Sequence, residues 1–323
     1  MDTFTHFLSG NILYMLFKDS KFSKRENQSL YVFSITSAVL PDFDLFFKIF
    51  GSLAYYENHR GITHSLFFLT ILIAASFFYF KKKTGTRLNK FFLIVAANLF
   101  FHLFLDLTNS YGTMILSPLS DYRFSWDVFY IMDFVIISLF AAAILINKIL
   151  KKFELNKFIA FLVLLLFSGY FLYSIYLNLT IKNKTKYILN DSKQRFVSVL
   201  PGKLWVLNKN VIFEDASHYY FAEYLPDRFI ATQFPKFNLE IIENDFIFQK
   251  IIKADIMNFY LSFSRFPSYS ISQNKDNIEL KIFDLRFYDE TFNPNNDMFA
   301  LNFTYIKKSD SISFKFNKIS GLI

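Results

Sequence analysis

The chain is expected to fold as an α-helical polytopic membrane domain, with about five full spans plus a short N-terminal helix, followed by a β-rich extracytoplasmic domain. Three observations predict this. Of the 323 residues 53% are hydrophobic and the mean hydropathy is +0.27, which is too apolar for an ordinary soluble protein. Apolar runs near the roughly 20 residues that cross a bilayer recur up to residue 180, separated by basic loops. Beyond residue 180 those runs give way to a period of two. The division is therefore expected at 1–180 and 181–323.

Residues 7–17 are a short apolar segment without the basic leader and small-residue cleavage site of a secretory signal, so they are expected to be retained as a short or partly inserted helix. After Lys18, Lys21, Lys24 and Arg25, residues 30–50 are of spanning length, with Pro41-Asp42-Phe43-Asp44 expected to kink or end the helix. Residues 51–64 read as a polar, aromatic loop and 65–80 as a returning helix. Lys81-Lys82-Lys83, Arg87 and Lys90 make a second basic loop, 91–107 the next helix, and 109–127 a loop with Tyr111-Gly112, Pro118 and Trp126. Residues 128–146 span again. A third basic loop, with Lys148, Lys151, Lys152 and Lys157, precedes the last apolar helix at 158–179.

All three basic loops alternate onto one side, which the retention of positive charge makes cytoplasmic. Loops 51–64 and 109–127, and everything after residue 180, then lie on the opposite face. Asp42 and Asp44, His59 and His64, His102 and Asp106, and Asp127 and Asp133 all fall within roughly two helical turns of that face. His6 joins them if the first segment begins outside.

In the C-terminal part Ile278, Leu280 and Ile282 interleave with Glu279 and Lys281; Phe299, Leu301, Phe303 and Tyr305 with Ala300, Asn302 and Thr304; and Ile312, Phe314 and Phe316 with Ser313 and Lys315. These are strands of a half-buried antiparallel sheet, with Lys308-Ser309-Asp310 as a hairpin turn between the last two. Residues 236–264 are compatible with a helix or with further strands, so an α+β domain is the alternative.

Composition excludes several chemistries. Cysteine is absent, which removes disulfides, thiolate ligands and thiol nucleophiles and leaves imidazole and carboxylate for any transition metal. The net charge of +8 is accounted for by the cytoplasmic loops, so no nucleic-acid partner is expected. No G-x-S-x-G elbow is present.

His102 and Asp106 stand four apart and share a helix face, a spacing that suits two ligands of one metal or a ligand and its supporting partner; Asn98 continues the stripe. A single intramembrane histidine has a plain reading as a hydrogen-bonded core residue. A carboxylate there is harder to dismiss, because a charge near the bilayer centre costs about 2.5–3.5 kcal/mol even on a lenient scale. Asp42 reads as a ligand, whereas Asp44 reads equally as helix termination. His59 and His64, five apart, would diverge by about 140° on a regular helix, so different roles are expected unless Gly61 bends the chain. Arg60 either clamps an anionic group or is a solvated interfacial charge. His6 is weak by itself, Asp127 reads as a helix-start charge, Asp133 as a buried group with a partner, and His218 as structural.

Thr5-His6, Leu40-Pro41-Asp42-Phe43-Asp44, His59-Arg60-Gly61-Ile62-Thr63-His64-Ser65, His102-xxx-Asp106 with Asn109 and Tyr111-Gly112, and Ser125-Trp126-Asp127 to Asp133 together resemble the YdjM-like family of bacterial inner-membrane proteins. The likeness covers about residues 1–140, and Asp284-Leu285-Arg286-Phe287 is more loosely similar to the tail of some members. The resemblance implies a metal-dependent hydrolase of the bacterial cytoplasmic (inner) membrane. The ligand order is also similar to that of zinc-dependent phospholipase C-like proteins, which hydrolyse phosphoesters.

On this reading one or two divalent ions, zinc first and manganese or iron next, are held by His6, Asp42, His64, His102 and Asp106. His59 or Asp44 shuttles protons, Arg60 holds an anionic substrate, and the partners are membrane lipids and a lipid or lipid-linked phosphoester. The rival expectation is a non-catalytic transporter or metal-binding scaffold, which should show polar residues through the depth of several helices.

Overall fold

The computed structural model describes residues 1–83, 88–150, 153–190, 192–202, 207–225, 228–237, 251, 255–288, 299–306, 311–316 and 319–322. The chain divides into two compact units. The first comprises Met1–Phe47, Asn58–Thr180 and Pro201–Lys209, and the second Lys48–Glu57, Ile181–Leu200 and Asn210–Ile323.

Helix α1 (Thr3–Phe17) is started by Asp2, whose carboxylate accepts from the Thr5 N–H at 3.0 Å. Helix α2 (Lys24–Val39) begins six residues before the apolar run, because Ser23 and Glu26 close a capping box there. At Pro41 the α-helix stops, as a residue without an N–H requires, and the chain continues as a 3₁₀ helix from Leu40 to Phe50. The expected loop at 51–64 instead holds helix α3 (Ser52–Asn58) and a 3₁₀ turn at Ile62–His64. Helices α4 (Leu66–Lys83), α5 (Leu88–Leu107), α6 (Phe134–Leu150) and α7 (Phe153–Ile188) follow.

Among the described residues three helices, Lys24–Phe50, Asn89–Leu107 and Leu155–Ile188, are long and apolar enough to cross a membrane; the bent pair Ala54–His64 and Leu66–Lys81 makes a fourth if it crosses as one. The difference from the expected five lies at α6 and, unless the bent pair crosses as one, at α4 as well. The start of α6 was expected at residue 128, but the N–H groups of Val128 and Phe129 donate to the Thr108 carbonyl at 2.7 and 2.9 Å. The helix begins only where Asp133 accepts from the N–H groups of Val135 and Ile136 at 2.9 and 3.1 Å. That leaves 17 residues, short of the roughly 20 of a full span.

A small-residue seam draws three helices together. Gly10 of α1 approaches α2 so closely that a Cβ on it would sit 2.8 Å from the Ala38 Cβ, which only glycine permits. Across the seam the Ser34 hydroxyl donates to the Gly10 carbonyl at 2.8 Å, and the Asn98 amide of α5 donates to Ser34 Oγ at 3.0 Å. One core packs Leu8, Ile12, Phe129, Phe140 and Phe167, and another packs Leu30, Leu69, Phe80, Phe91 and Leu99.

The second unit carries two antiparallel sheets. The first has the order β1 (Arg195–Pro201), β2 (Lys209–Glu214), β3 (His218–Leu225), β4 (Arg228–Pro235). The second runs β5 (Pro267–Gln273), β6 (Asn277–Asp284), β7 (Leu301–Ile306), β8 (Ser311–Phe316), β9 (Ile319–Leu322). The alternation read from the sequence appears as cross-strand pairs, Leu280 with Phe303, Ile282 with Leu301, and Phe303 with Phe314. The expected turn at 308–310 lies outside the described residues. Helix α8 (Asp255–Phe263) occupies part of the ambiguous stretch 236–264.

Asp284-Leu285-Arg286-Phe287 ties α8 to β6. The buried Arg286 donates through Nε to Asp284 Oδ2 at 2.8 Å and through NH2 to the Phe263 carbonyl at 2.6 Å, while its guanidinium stacks on Phe263 and Phe287. Burial pushes the Asp284 carboxyl up, but the Arg286 charge and the hydrogen bonds from Arg286 and Arg265 outweigh it and hold the group below the usual carboxylate range. With a depressed folded value, the carboxylate's stabilisation is complete above the unfolded pKa of about 3.9 and is lost as pH falls through the folded value. Asp284→Asn is expected to destabilise this unit by about 3–5 kcal/mol at neutral pH, since it strands a buried guanidinium, and to flatten the acid side of the stability profile. Loss of the β-sheet circular dichroism signal during denaturation of the full chain in detergent, measured from neutral to acid pH, checks both.

Candidate metal centre

One helical turn from the Gly10–Ser34–Asn98 seam, the same three helices present His6, Ala38 and His102. Four residues advance a helix by about 6 Å, and α1 runs against α2 and α5, so 10 steps back to 6 while 34 and 98 step on to 38 and 102. The imidazoles of His6 and His102 stack with ring centroids 3.7 Å apart, and His102 Nδ1 lies 2.7 Å from the Ala38 carbonyl. A carbonyl only accepts, so Nδ1 carries the proton and Nε2 turns its lone pair into the cluster.

Three further residues, His64, Asp42 and Asp106, converge there. His64 Nε2 is 3.1 Å from His102 Nε2, 3.2 Å from Asp106 Oδ2 and 3.5 Å from Asp42 Oδ1. His102 Nε2 is 3.2 Å from Asp106 Oδ2 and 3.8 Å from Asp42 Oδ1. A tetrahedral ion with bonds of about 2.0–2.2 Å places its ligand atoms about 3.3–3.6 Å apart, so these five separations are close to the edges of such a tetrahedron. His6, Asp42, His102 and Asp106 also offer ligand atoms that all lie within 4.8 Å of one another. The His/Asp cluster can therefore hold a metal ion.

The donor set fits a cation in another respect. Asp42 Oδ2 and Asp106 Oδ2 are buried without a hydrogen-bond partner, and a buried carboxylate oxygen facing imidazole nitrogens calls for positive charge. With neutral imidazoles, the carboxylates of Asp42, Asp44 and Asp106 outnumber the cations that touch them, Arg60 and the Met1 α-amino group.

The Arg60 turn assembles the second wall. Arg60 adopts φ +56°, left-handed backbone that a side chain rarely takes, and its surroundings enforce it. Its N–H donates to Asp44 Oδ2 at 2.8 Å, its carbonyl accepts from the Met114 N–H at 2.9 Å, and its NH1 and NH2 donate to Asn109 Oδ1 at 2.9 Å and to the Met1 carbonyl at 2.8 Å. NH2 also lies 3.2 Å from Asp106 Oδ1. The reversed turn lets histidines five apart share one carboxylate: His59 Nδ1 is 3.0 Å and His64 Nδ1 3.5 Å from Asp44 Oδ2. The His59 side chain is 16% exposed whereas those of His6, Asp42, Asp44, Arg60, His64, His102 and Asp106 are at most 6%, so the cluster reaches solvent past His59.

The other sequence candidates lie apart from this cluster. Asp133 caps α6 and accepts from the Tyr170 hydroxyl at 3.0 Å, Asp127 is a buried turn residue at φ +56°, and His218 opens β3 beside Ser217. Sequence reasoning missed the Ala38 carbonyl, which has no side-chain signal, and Arg123, whose NH1 donates to the His59 carbonyl at 2.9 Å. The available signal for Arg123 was a lone basic residue in a loop assigned to the outer face.

Asp44 supports His64 and His59 from behind. Substitutions of such orienting carboxylates typically cost ten- to a hundredfold in metal affinity. Asp44→Asn is expected to weaken metal binding by about that factor while the helical content stays unchanged, as read by competition with a chelating dye alongside circular dichroism.

The chain resembles known proteins over its helical part and beyond. An uncharacterized protein of Bacillus subtilis (strain 168), YfhP, is 23% identical over 266 residues, covering 80% of this chain and 77% of that protein. No solved structure matches. The family model described as YdjM inner membrane protein matches residues 1–180, and the chain belongs to that family.

Proposed function

We propose that the chain is a multi-pass metal-dependent hydrolase of the bacterial cytoplasmic membrane, cleaving a phosphoester or other ester of a lipid or lipid-linked substrate at the extracytoplasmic face. The observation that carries this is the buried cluster of His64, His102, Asp42 and Asp106, whose ligand-atom separations of 3.1–3.8 Å suit a small divalent ion, with His6 beside it. Mixed imidazole and carboxylate donors favour zinc, then manganese or iron. Bound there, the ion would supply Lewis acidity and a water acidified towards neutral pH.

The protein's own groups do the rest. The proton on His102 Nδ1 is fixed by the Ala38 carbonyl, which keeps Nε2 available as a donor. Asp44 orients His64 and His59, and His59, the partly exposed member, moves protons between the cluster and solvent. Arg60 holds Asp106 and Asn109 in register. Phe43, between the two buried aspartates, is 66% exposed and stacks on Phe46, itself 48% exposed; this outward apolar pair beside the ligands supports a substrate with acyl chains. The polar residues gather at one end of the helices, which a transport pathway through the bilayer would not need.

Metal analysis of the purified protein tests the reading. Wild-type protein is expected to retain about one or two divalent ions per chain, and His102→Ala and Asp106→Ala to lose them; wild-type protein devoid of metal, or variants with the full complement, would remove its foundation. The placement has its own test. Single cysteines at Glu57 and Lys81 are expected to react with an impermeant maleimide from opposite sides of the membrane, and labelling from the same side would overturn the outer location.

A further inference from the structure

Beside His59, the most exposed side chain of the cluster, lies a second arginine. Arg123 is half-buried, donates from NH1 to the His59 carbonyl at 2.9 Å, and lies 5.8 Å from the ring centre of Tyr111. Tyr111 in turn meets the His59 ring edge-on at 5.3 Å. The guanidinium thus sits beside the one partly exposed imidazole of the cluster, with the buried Tyr111 ring against both.

The backbone is built to put Arg123 there. Thr113 and Phe124 exchange two N–H to carbonyl hydrogen bonds of 2.9 Å each, which fixes the residue next to Arg123. Gly112 has φ +88°, and a Cβ on it would stand 2.8 Å from the Arg123 Cβ, so the close passage of the two segments needs glycine at that position. Arg60 lies deeper. Its NH1 and NH2 bind Asn109 and Met1 inside the protein and its exposure is 2%.

We infer that Arg123, not Arg60, is the specificity-determining residue for substrate, recognising a phosphoryl or similar oxyanion as it enters past His59. A guanidinium is the side chain whose planar fork best matches phosphate oxygens, and its anchor on the His59 carbonyl sets the distance from bound anion to imidazole. This rests on the hydrolase reading for the identity of the reaction but not for the binding step.

Inorganic phosphate is the probe, titrated calorimetrically into the full chain in detergent, with metal content measured on the same samples. Arg123→Gln is expected to weaken phosphate binding at least tenfold with metal content unchanged, and Arg123→Lys, which keeps the charge but not the fork, to recover part of the loss. Phosphate affinity indifferent to Arg123→Gln, or wild-type protein that binds no phosphate, would overturn the inference. Mixed micelles distinguish the source of the oxyanion: displacement of phosphate by phosphatidic acid but not phosphatidylcholine assigns a lipid headgroup, and phosphate retained against both assigns a soluble ligand. Wild-type protein that holds phosphate through Arg123 without metal would end the hydrolase reading alone. Metal-loaded protein whose phosphate affinity ignores Arg123→Gln would end this one alone.

Discussion

Three aspartates buried in a bundle of apolar helices are the constraint to which the first unit answers. An uncompensated carboxylate in such surroundings costs several kcal/mol, and Asp42, Asp44 and Asp106 are each at most 5% exposed. Each is met by positive or donor groups from elsewhere in the chain: Asp44 by the Arg60 N–H and His59, Asp106 by Arg60, His6 and the Met1 α-amino group, Asp42 by His64. The remaining lone pairs face one small volume between imidazoles. Buried carboxylate oxygens without hydrogen bonds favour a cation near them, so an ion bound there would also offset part of the cost of burying the three aspartates.

The helical seam makes that volume reproducible. Small residues at Gly10, Ser34 and Ala38 let α1 and α2 approach until backbone oxygens become acceptors for side chains of a neighbouring helix, at the Gly10 carbonyl for Ser34 and the Ala38 carbonyl for His102. Without a hydrophobic drive between helices in lipid, such close packing and interhelical hydrogen bonding are what association relies on. His6 and His102 project one turn beyond the seam, so their positions are inherited from backbone packing rather than from a flexible loop.

Much of this was legible in the sequence, for physical reasons that differ from residue to residue. The His102–Asp106 pair was readable because i,i+4 spacing fixes a shared helix face, and the β7 and β8 strands because Phe303 and Phe314 sit on a strict period of two. The start of α2 at Lys24 was also encoded, but in the Ser23–Glu26 capping box and not in hydropathy, so an apolar count placed it late. The start of α6 was misplaced for the converse reason: Val128 and Phe129 are apolar enough for a helix, yet their N–H groups serve the Thr108 carbonyl. The left-handed Arg60 was beyond reach, since it is enforced by Asp44, Asn109, Met1 and Met114, residues up to 59 positions away. Gly61 looked like the flexible point, but the reversal falls one residue earlier.

The two arginines show how a topological bias and local chemistry separate. Loops 51–64 and 109–127 carry one basic residue each, Arg60 and Arg123, against four or five in each basic loop of the other set. On the proposed topology, retention of positive charge on the cytoplasmic side disfavours even these two, so each exception asks for a compensating anion. For Arg60 the compensation is internal: it lies 3.2 Å from Asp106 and is sealed from solvent. Arg123 is held by the His59 carbonyl and the Tyr111 ring beside the most exposed side chain of the cluster, which is the position that the proposed oxyanion recognition requires. An arginine fixed to the carbonyl of His59, the most exposed of the cluster residues, is placed to meet charge that arrives with the substrate.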